Sequence, residues 1–171
     1  MRARWMIVLF CVALVALLAA GCGGDEGGGD GSSPDKALAA DAVATSANGY
    51  EYEIVEVTED ATQAVLLENQ FNDPPAEGRQ FLIVSLRVTP TAEVDGPFVG
   101  TSSLRLLGPD NRIYTTFEDR CGVIPGRLEV SETPGSSSEG NLCWAVPSES
   151  VDELLLFEDA SRGNTNYQKL S

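Results

Sequence analysis

Short runs in which hydrophobic and polar residues alternate, separated by turn residues, cover the chain from about Leu38 onward. The strongest run is residues 81–89. One set of alternate positions in it is wholly apolar: Leu82, Val84, Leu86 and Val88. This period of two predicts a strand with one buried face. Phe81 and Ile83 make its first half apolar on both faces, as expected of a central strand.

Weaker versions of the same pattern recur along the chain. The further predicted strands are residues 42–45, 50–57, 62–68, 103–107, 112–117, 128–130, 141–146, 153–157 and 167–170. Asn48 and Gly49 predict a tight turn, and a slip in the alternation near Ile54 predicts a β-bulge. We expect about eight or nine of these ten short segments to form strands. With no helical pattern longer than about two turns, they predict an all-β antiparallel sandwich over residues 38–171.

The beginning of the chain has a different pattern. Arg2 and Arg4 precede an unbroken apolar run that ends at Ala20, shorter than the roughly 20 residues that a membrane-spanning helix needs. Small residues follow and lead directly to Cys22, a pattern that resembles the bacterial lipobox. We therefore expect residues 1–21 to be a lipoprotein signal peptide and Cys22 to be lipidated. The alternatives are an ordinary signal peptide that leaves Cys22 a free thiol, and an uncleaved anchor.

Residues 23–37 contain no apolar side chain larger than alanine. Such a segment cannot bury hydrophobic area, so with Cys22 it is predicted to be a disordered tether, residues 22–37. The lipid on Cys22 would hold the protein at a membrane of the cell envelope, either the outer face of the cytoplasmic membrane or an outer membrane.

Charge narrows the choice of partners. The chain has 26 acidic and 11 basic residues, and removal of residues 1–21 would leave 26 acidic and 9 basic ones. A net charge of this size repels nucleic acid and anionic head groups, so we expect neither as a partner. The lipid-mediated contact with the membrane and an unknown protein or envelope ligand are the partners that the sequence predicts.

The cysteines divide by position. Cys11 lies in the apolar run and Cys22 in the lipobox, which leaves Cys121 and Cys143 as a pair in an oxidising compartment. We predict a disulfide between them. The alternative, a metal site, lacks further ligands because the chain has no histidine, so no metal or cofactor is expected.

Candidate catalytic groups are scarce. Without histidine a Ser-His-Asp arrangement is excluded, and the serines at 136–138 are interpreted as a flexible loop. The adjacent carboxylates are interpreted as solvated surface charges: Glu118 and Asp119, Asp152 and Glu153, Glu158 and Asp159. A calcium site built from such acids is the functional alternative.

Two aromatic residues attract attention. Trp144 directly follows Cys143 and is predicted to pack on the disulfide in the core. Phe98, between Pro97 and Val99, is the candidate contact with a partner, because an apolar loop tip on a rigid sandwich suits binding. Its structural alternative is to cap the core.

Several blocks in order resemble a known family: residues 48–57, 78–88, 104–114, 134–135 with 140–147, and 154–157. They are similar to the bacterial immunoglobulin-like domain of unknown function typified by the mycobacterial immunoprotective extracellular protein. The resemblance spans about residues 38–170. It departs from the family at Pro90 and Thr91, where a central-strand asparagine is usual, and at Asn111, where glycine is preferred. It implies a secreted or lipid-anchored β-sandwich that serves as a binding module and has no catalytic residues.

The expectation from the sequence is therefore a non-enzymatic, lipid-anchored extracytoplasmic immunoglobulin-like module that binds an unknown protein or envelope ligand. A calcium- or small-ligand-binding envelope lipoprotein is the alternative from another class. A hydrolase is the third possibility.

Overall fold

The computed structural model of the protein describes residues 28–98, 103–159 and 165–171. The predicted signal peptide, Cys22 and residues 23–27 lie outside the described residues. Within the described ranges, no helix has the length and apolar character to cross a membrane.

Eight strands, one short α-helix and two 3₁₀ turns make up the described part of the chain. The strands are β1 Ala44–Thr45, β2 Tyr50–Thr58, β3 Arg79–Pro90, β4 Leu104–Leu107, β5 Ile113–Tyr114, β6 Ser138–Pro147, β7 Leu155–Glu158 and β8 Tyr167–Lys169. The helix α1 is Thr62–Glu68, and the 3₁₀ turns are Pro34–Lys36 and Val151–Glu153.

The strands form two four-stranded antiparallel sheets, which confirms the all-β sandwich. The first sheet has the order β1-β2-β3-β6 and the second the order β5-β4-β7-β8. Because β3 pairs with β6 while β4 pairs with β7, the connections between the sheets cross in the manner of an immunoglobulin-like sandwich.

The core lies between the two sheets, and β3 supplies its centre as the hydrophobic pattern predicted. The alternate β3 side chains that face it are fully buried: Leu82, Val84, Leu86 and Val88. The opposing sheet contributes Leu104, Leu106 and Leu156. Burial of this apolar area is the main stabilising contribution to the fold.

The predicted irregularity in β2 is present. The pairing of β2 with β3 shifts register between Ile54 and Glu56. The extra residue returns Val57 to the core side after Tyr52 and Ile54, and it leaves Val55 exposed. The preceding turn is also as predicted, since Gly49 has a φ of 88°.

The β4–β5 hairpin is confirmed, with a turn that begins at Gly108 and has Pro109 at its second position. The amide N–H of Asn111 donates to the Gly108 carbonyl oxygen at 3.0 Å. Asn111 has a φ of 61°, and asparagine tolerates this left-handed region better than most residues. Asparagine at position 111 is therefore compatible with this turn.

The prediction of a strand at residues 62–68 is wrong, because this segment is the helix α1. Ala61 and Val65 are buried one helical turn apart, and the Val65 N–H donates to the Ala61 carbonyl at 3.0 Å. Leu67 is 78% exposed. Residues 62–68 consist mostly of good helix formers, and the apolar residues among them, 64–67, are consecutive and so give no period of two.

The strand expected at residues 128–130 is also absent from the structure. The chain makes one isolated bridge there, between Arg127 and Asn141, although Leu128 is buried in the core. A side chain at Gly140 would place its Cβ atom 2.4 Å from the Leu128 Cα atom. The segment therefore passes so close to β6 that glycine is needed at position 140.

The described part of the predicted tether is folded, which corrects the domain boundary at Leu38. The Tyr167 N–H donates to the Gly31 carbonyl at 2.9 Å, and the Leu38 N–H donates to the Tyr167 carbonyl at 2.8 Å. A further bond joins the Gly29 N–H to the Ala37 carbonyl at 2.7 Å. The backbone supplies these bonds, so a segment without large apolar side chains is still held against β8.

Candidate functional site

The disulfide is formed as predicted. Cys121 and Cys143 are joined with an S–S distance of 2.02 Å and a Cα–Cα distance of 6.0 Å. Cys143 lies on β6, and Cys121 lies in residues 115–128 between β5 and β6, which we call the disulfide loop. The bridge belongs to a second hydrophobic cluster, separate from the main core: Ala61, Val65, Phe81, Ile83, Cys121, Cys143 and Ala145.

Trp144 does not pack on this bridge, so that prediction is wrong. Trp144 is fully buried in the main core between the sheets, whereas Cys143 belongs to the second cluster. Consecutive side chains of a strand point to opposite faces of the sheet. Adjacency in the sequence therefore separates the indole from the disulfide.

The position of the disulfide loop is fixed by a buried carboxylate. Asp119 is 4% exposed, and its Oδ1 atom accepts from the guanidinium of Arg79 at 2.5 Å. Arg112 lies 3.4 Å from the same oxygen, and the Thr115 N–H donates to Oδ2 at 3.1 Å. The expectation that Asp119 is a solvated charge is corrected, because these donors neutralise it inside the fold.

Backbone bonds hold the same loop along the outer edge of β6. The Ala145 N–H donates to the Asp119 carbonyl at 2.8 Å, and the Asn141 N–H donates to the Gly126 carbonyl at 2.9 Å. Arg79 also donates to the Ala145 carbonyl. The free edge of the first sheet is thus covered by the loop.

Asn72, which follows α1, fixes the loop from a third direction. Its Nδ2 atom donates to the carbonyls of Val65 and Val123, both at 2.7 Å, and its Oδ1 atom accepts from the Val123 N–H at 2.9 Å. Gly122 beside it has a φ of 87°, and an added Cβ atom would lie 2.2 Å from that amide oxygen. The loop has little freedom to rearrange here.

A pocket opens in this rigid frame. Its volume is about 190 Å³, and it is lined by Thr116, Arg120, Cys121, Gly122, Ile124, Arg127, Asn141, Leu142 and Cys143. The floor is buried, because Leu142 and both cysteines are at most 5% exposed. The rim is exposed and carries the guanidinium side chains of Arg120 and Arg127.

Arg120 and Arg127 have no ion pair or side-chain hydrogen bond with any described residue. In the same region Arg79, Arg105 and Arg112 are each paired with a carboxylate. Arginines therefore outnumber carboxylates around the pocket, although the chain has a formal net charge of −15. The pocket is a local cationic site on an acidic protein.

A groove of about 660 Å³ adjoins the pocket and shares Thr116 and Arg127 with it. Phe117, which is 83% exposed, and Ile113, which is 43% exposed, line this groove. Glu118 lines it too. Pocket and groove together offer guanidinium donors next to an exposed aromatic surface, which suits binding of an anionic group attached to an apolar one.

Within residues 28–98, 103–159 and 165–171, no group of three or more His, Cys, Asp or Glu side chains lies close enough to hold a metal ion. The pocket is lined by guanidinium, hydroxyl, amide and disulfide groups together with the apolar side chains of Ile124 and Leu142. Their chemistry is that of an anion-binding site.

Phe98, the predicted partner contact, lies elsewhere. Its ring is half-buried against the main core and packs on the ring of Tyr50 at a centroid distance of 5.3 Å. The Tyr50 hydroxyl donates to the nearby Gly96 carbonyl at 3.0 Å. The structure corrects the expectation of a free apolar loop tip and favours the alternative, a cap on the core.

A second buried carboxylate, Glu158, was interpreted from the sequence as solvated and is 3% exposed. It accepts from the Ala47 N–H at 3.1 Å, and burial raises the pKa of its carboxyl group. Burial, with the charge of Glu158, also raises the pKa of the Tyr52 phenol, whose hydroxyl has no partner among the described residues. The sequence contains one signal for the burial of Glu158: it lies two residues after Leu156 and therefore on the same face of β7.

Sequence reasoning also missed Arg120 and Arg127. The available signal was the concentration of the few basic residues of the chain between Arg105 and Arg127. The clustering of arginines is visible in the sequence, but the sequence does not show which of them form ion pairs.

The fold and the pocket define a β-sandwich of immunoglobulin-like strand pairing with a cationic pocket at one edge. No family model matches the chain, and neither does any curated protein sequence. Among solved structures, the chain is similar to the crystal structure of an uncharacterized β-sandwich protein from Clostridium difficile 630. The identity is 10% and the TM-score 0.44, with 80% of this chain and 95% of that chain covered.

Proposed function

We propose that this protein is a non-catalytic binding module of the cell envelope, anchored by a lipid on Cys22, which binds its partner through the pocket and groove of the disulfide loop. The lipobox and the disulfide support an extracytoplasmic location. Membership of the immunoglobulin-like family typified by the mycobacterial immunoprotective extracellular protein is part of the proposal, supported by the strand pairing.

One observation carries the binding role. Two exposed arginines without partners among the described residues share a pocket whose frame is held by a disulfide, a buried carboxylate and Asn72. A structural role would pair such guanidiniums, as it does for Arg79 and Arg112. Arginine and exposed aromatic residues are the side chains that most often dominate binding interfaces.

The position of the site also suits an anchored protein. The chain enters the fold near β8, and the pocket lies beside β6, at the opposite edge of the sandwich. Three strand spacings separate the edges of a four-stranded sheet, roughly 14 Å. Residues 23–27 would reach at most about 18 Å from Cys22, so the anchored edge would stay near the membrane and the pocket would be presented away from it.

Site-specific photo-crosslinking in the native envelope tests the binding role. A photo-crosslinking amino acid in place of Phe117 is expected to give a discrete crosslinked product. The same amino acid in place of Val43, which is 55% exposed at the opposite edge, is the matched control. Equal products from both positions, or none from Phe117, contradict the proposed binding surface.

Mass spectrometry of the mature N-terminus tests the anchor separately. We expect a diacylated Cys22 as the first residue, and a Cys22→Ser variant that is no longer membrane-bound. A mature protein with an unmodified residue 22 contradicts the proposed anchor and leaves the proposal of the binding surface unaffected.

A further inference from the structure

We propose that the pocket between Arg120 and Arg127 receives a carboxylate side chain from an extended acidic segment of a partner protein. An aromatic side chain of the same segment, two residues away, lies along Phe117 in the adjoining groove. This inference rests on the proposed function and names the ligand that the binding module takes.

Charge complementarity selects a carboxylate. Arg120 and Arg127 both line the pocket and have no ion pair within the described part of the chain. The planar guanidinium group matches the geometry of a carboxylate and can donate to both of its oxygens. An incoming carboxylate would meet two such donors without displacing an existing partner.

The shape of the site selects a chain segment over a free small anion. The pocket is small, about 190 Å³, and continues past Arg127 into the wider groove of about 660 Å³. In an extended peptide, side chains two residues apart point the same way and are separated by roughly 7 Å. One such pair can fill the pocket and the groove together.

The groove disfavours a uniformly charged polymer. Phe117 and Ile113 present apolar surface there, and the carboxylate of Glu118 lines the same space. A polymer with a negative charge on every unit would place charge against the apolar surface of Phe117 and Ile113 and would be repelled by the Glu118 carboxylate. A segment that alternates an acid with an aromatic residue avoids this conflict.

The frame is built to keep the two arginines in place. The disulfide, the pairing of Asp119 with Arg79, and the three bonds of Asn72 all hold the disulfide loop. A preformed site loses less conformational entropy on binding. Reduction of the disulfide should therefore weaken binding.

The test is a binding titration on the full chain purified in detergent. The probe is a short fluorescent peptide with glutamate and phenylalanine two residues apart, separated by serine. Fluorescence anisotropy gives its Kd. A peptide with glutamine in place of glutamate and inorganic polyphosphate are the comparison ligands.

Two double variants remove equal charge at opposite edges. We expect Arg120→Gln with Arg127→Gln to weaken binding of the peptide by about tenfold or more. Lys36→Gln with Lys169→Gln, both exposed and far from the pocket, should leave the Kd unchanged. Phe117→Ala should weaken binding several-fold for this peptide and not for one that has serine in place of phenylalanine.

Three results overturn the inference: equal loss in both double variants, equal binding of the glutamine peptide, or tighter binding of polyphosphate than of the peptide. Failure of the proposed function is distinguishable. If the peptide does not bind but Phe117 still crosslinks a partner in the envelope, the binding role stands and the ligand class is wrong. If both experiments fail, the surface itself is wrong.

Discussion

The two edges of the sandwich are closed by different chemistry. At the edge formed by β1 and β8, amide groups close the gap between the sheets. The Nε2 atom of the fully buried Gln168 lies 3.3, 3.0 and 2.8 Å from the carbonyl oxygens of Ala39, Ala40 and Ala42, so its two N–H groups are shared among three acceptors. At the edge formed by β5 and β6, the closure is covalent and ionic, through the disulfide and through Asp119.

The different closure of the two edges explains why the candidate binding site lies at only one of them. At the first edge the Gln168 amide is buried and bonds only to backbone carbonyls, so the group that closes this edge is not available to a ligand. At the second edge several arginines lie around one buried carboxylate, Asp119. Arg79 and Arg112 pair with it, whereas Arg120 and Arg127 have no ion pair among the described residues. The edge that carries the unpaired arginines is also the one that is closed by a covalent bond.

The largest expected effect comes from the buried ion pair at the second edge. Asp119→Ala should lower the free energy of unfolding by about 4 kcal/mol, because it leaves Arg79 without its counter-ion in a partly buried place. Chemical denaturation measures this. Asp119→Asn keeps an acceptor for the Thr115 N–H and should cost less than Asp119→Ala. Equal costs would show that the lost charge, which both variants share, accounts for the whole effect. An Asp119→Asn variant as stable as the wild type would contradict the role of charge in the closure.

The covalent part of the same closure should be slightly weaker. Replacing Cys121 and Cys143 together by serine should cost about 3 kcal/mol, the value expected for a closed loop of this length. The loss should concentrate in faster amide hydrogen exchange of the disulfide loop. If exchange in β7 and β8 rises equally, the second cluster is not a separate unit, and the comparison of edges fails.

The amide closure of the first edge should contribute less. Gln168→Ala leaves three backbone carbonyls without their donor and should cost about 2 kcal/mol. Lys169→Ala, the adjacent exposed residue, should change stability by less than about 0.5 kcal/mol. Peptide binding at the opposite edge should be unaffected by either, and a change in Kd would show that the edges are coupled.

The smallest expected effect is the pH dependence of stability that Glu158 causes. Burial raises the pKa of the Glu158 carboxyl group, so the folded state holds its proton to higher pH than the unfolded state does. The contribution of Glu158 to stability is therefore greatest at low pH and is lost as the pH rises through the raised value. Glu158→Gln should abolish that part of the pH dependence and change stability at neutral pH by less than about 1 kcal/mol.

The free energy of unfolding of the wild type and of Glu158→Gln should be measured from about pH 4 to pH 7. The difference between the two curves gives the contribution of Glu158, because all other acidic residues are common to both proteins. A difference that does not change with pH would contradict the role of burial. The variant also shows whether the bond from the Ala47 N–H needs a charged acceptor.

The sequence by itself determined most of the strands and their class. The alternation in β3 and the turns at Gly49 and Asn111 are local, so the residues that cause them are neighbours in the chain. The cysteine count was enough to predict the disulfide. The helix α1 was missed because the spacing of Ala61 and Val65 becomes meaningful only when Phe81 and Ile83 lie beneath it.

Only the tertiary structure decided which charges are buried and which are free. Asp119 and Arg79 are 40 residues apart in the chain, and Glu158 meets Ala47 across 111 residues. A buried carboxylate needs donors from distant parts of the chain or takes up a proton more readily. The position of Glu158 on the Leu156 face of β7 indicates burial, but no local pattern shows which donors lie near either carboxylate. The same holds for Trp144 and Cys143, which are adjacent in sequence and lie on opposite faces of one strand because the sheet separates them.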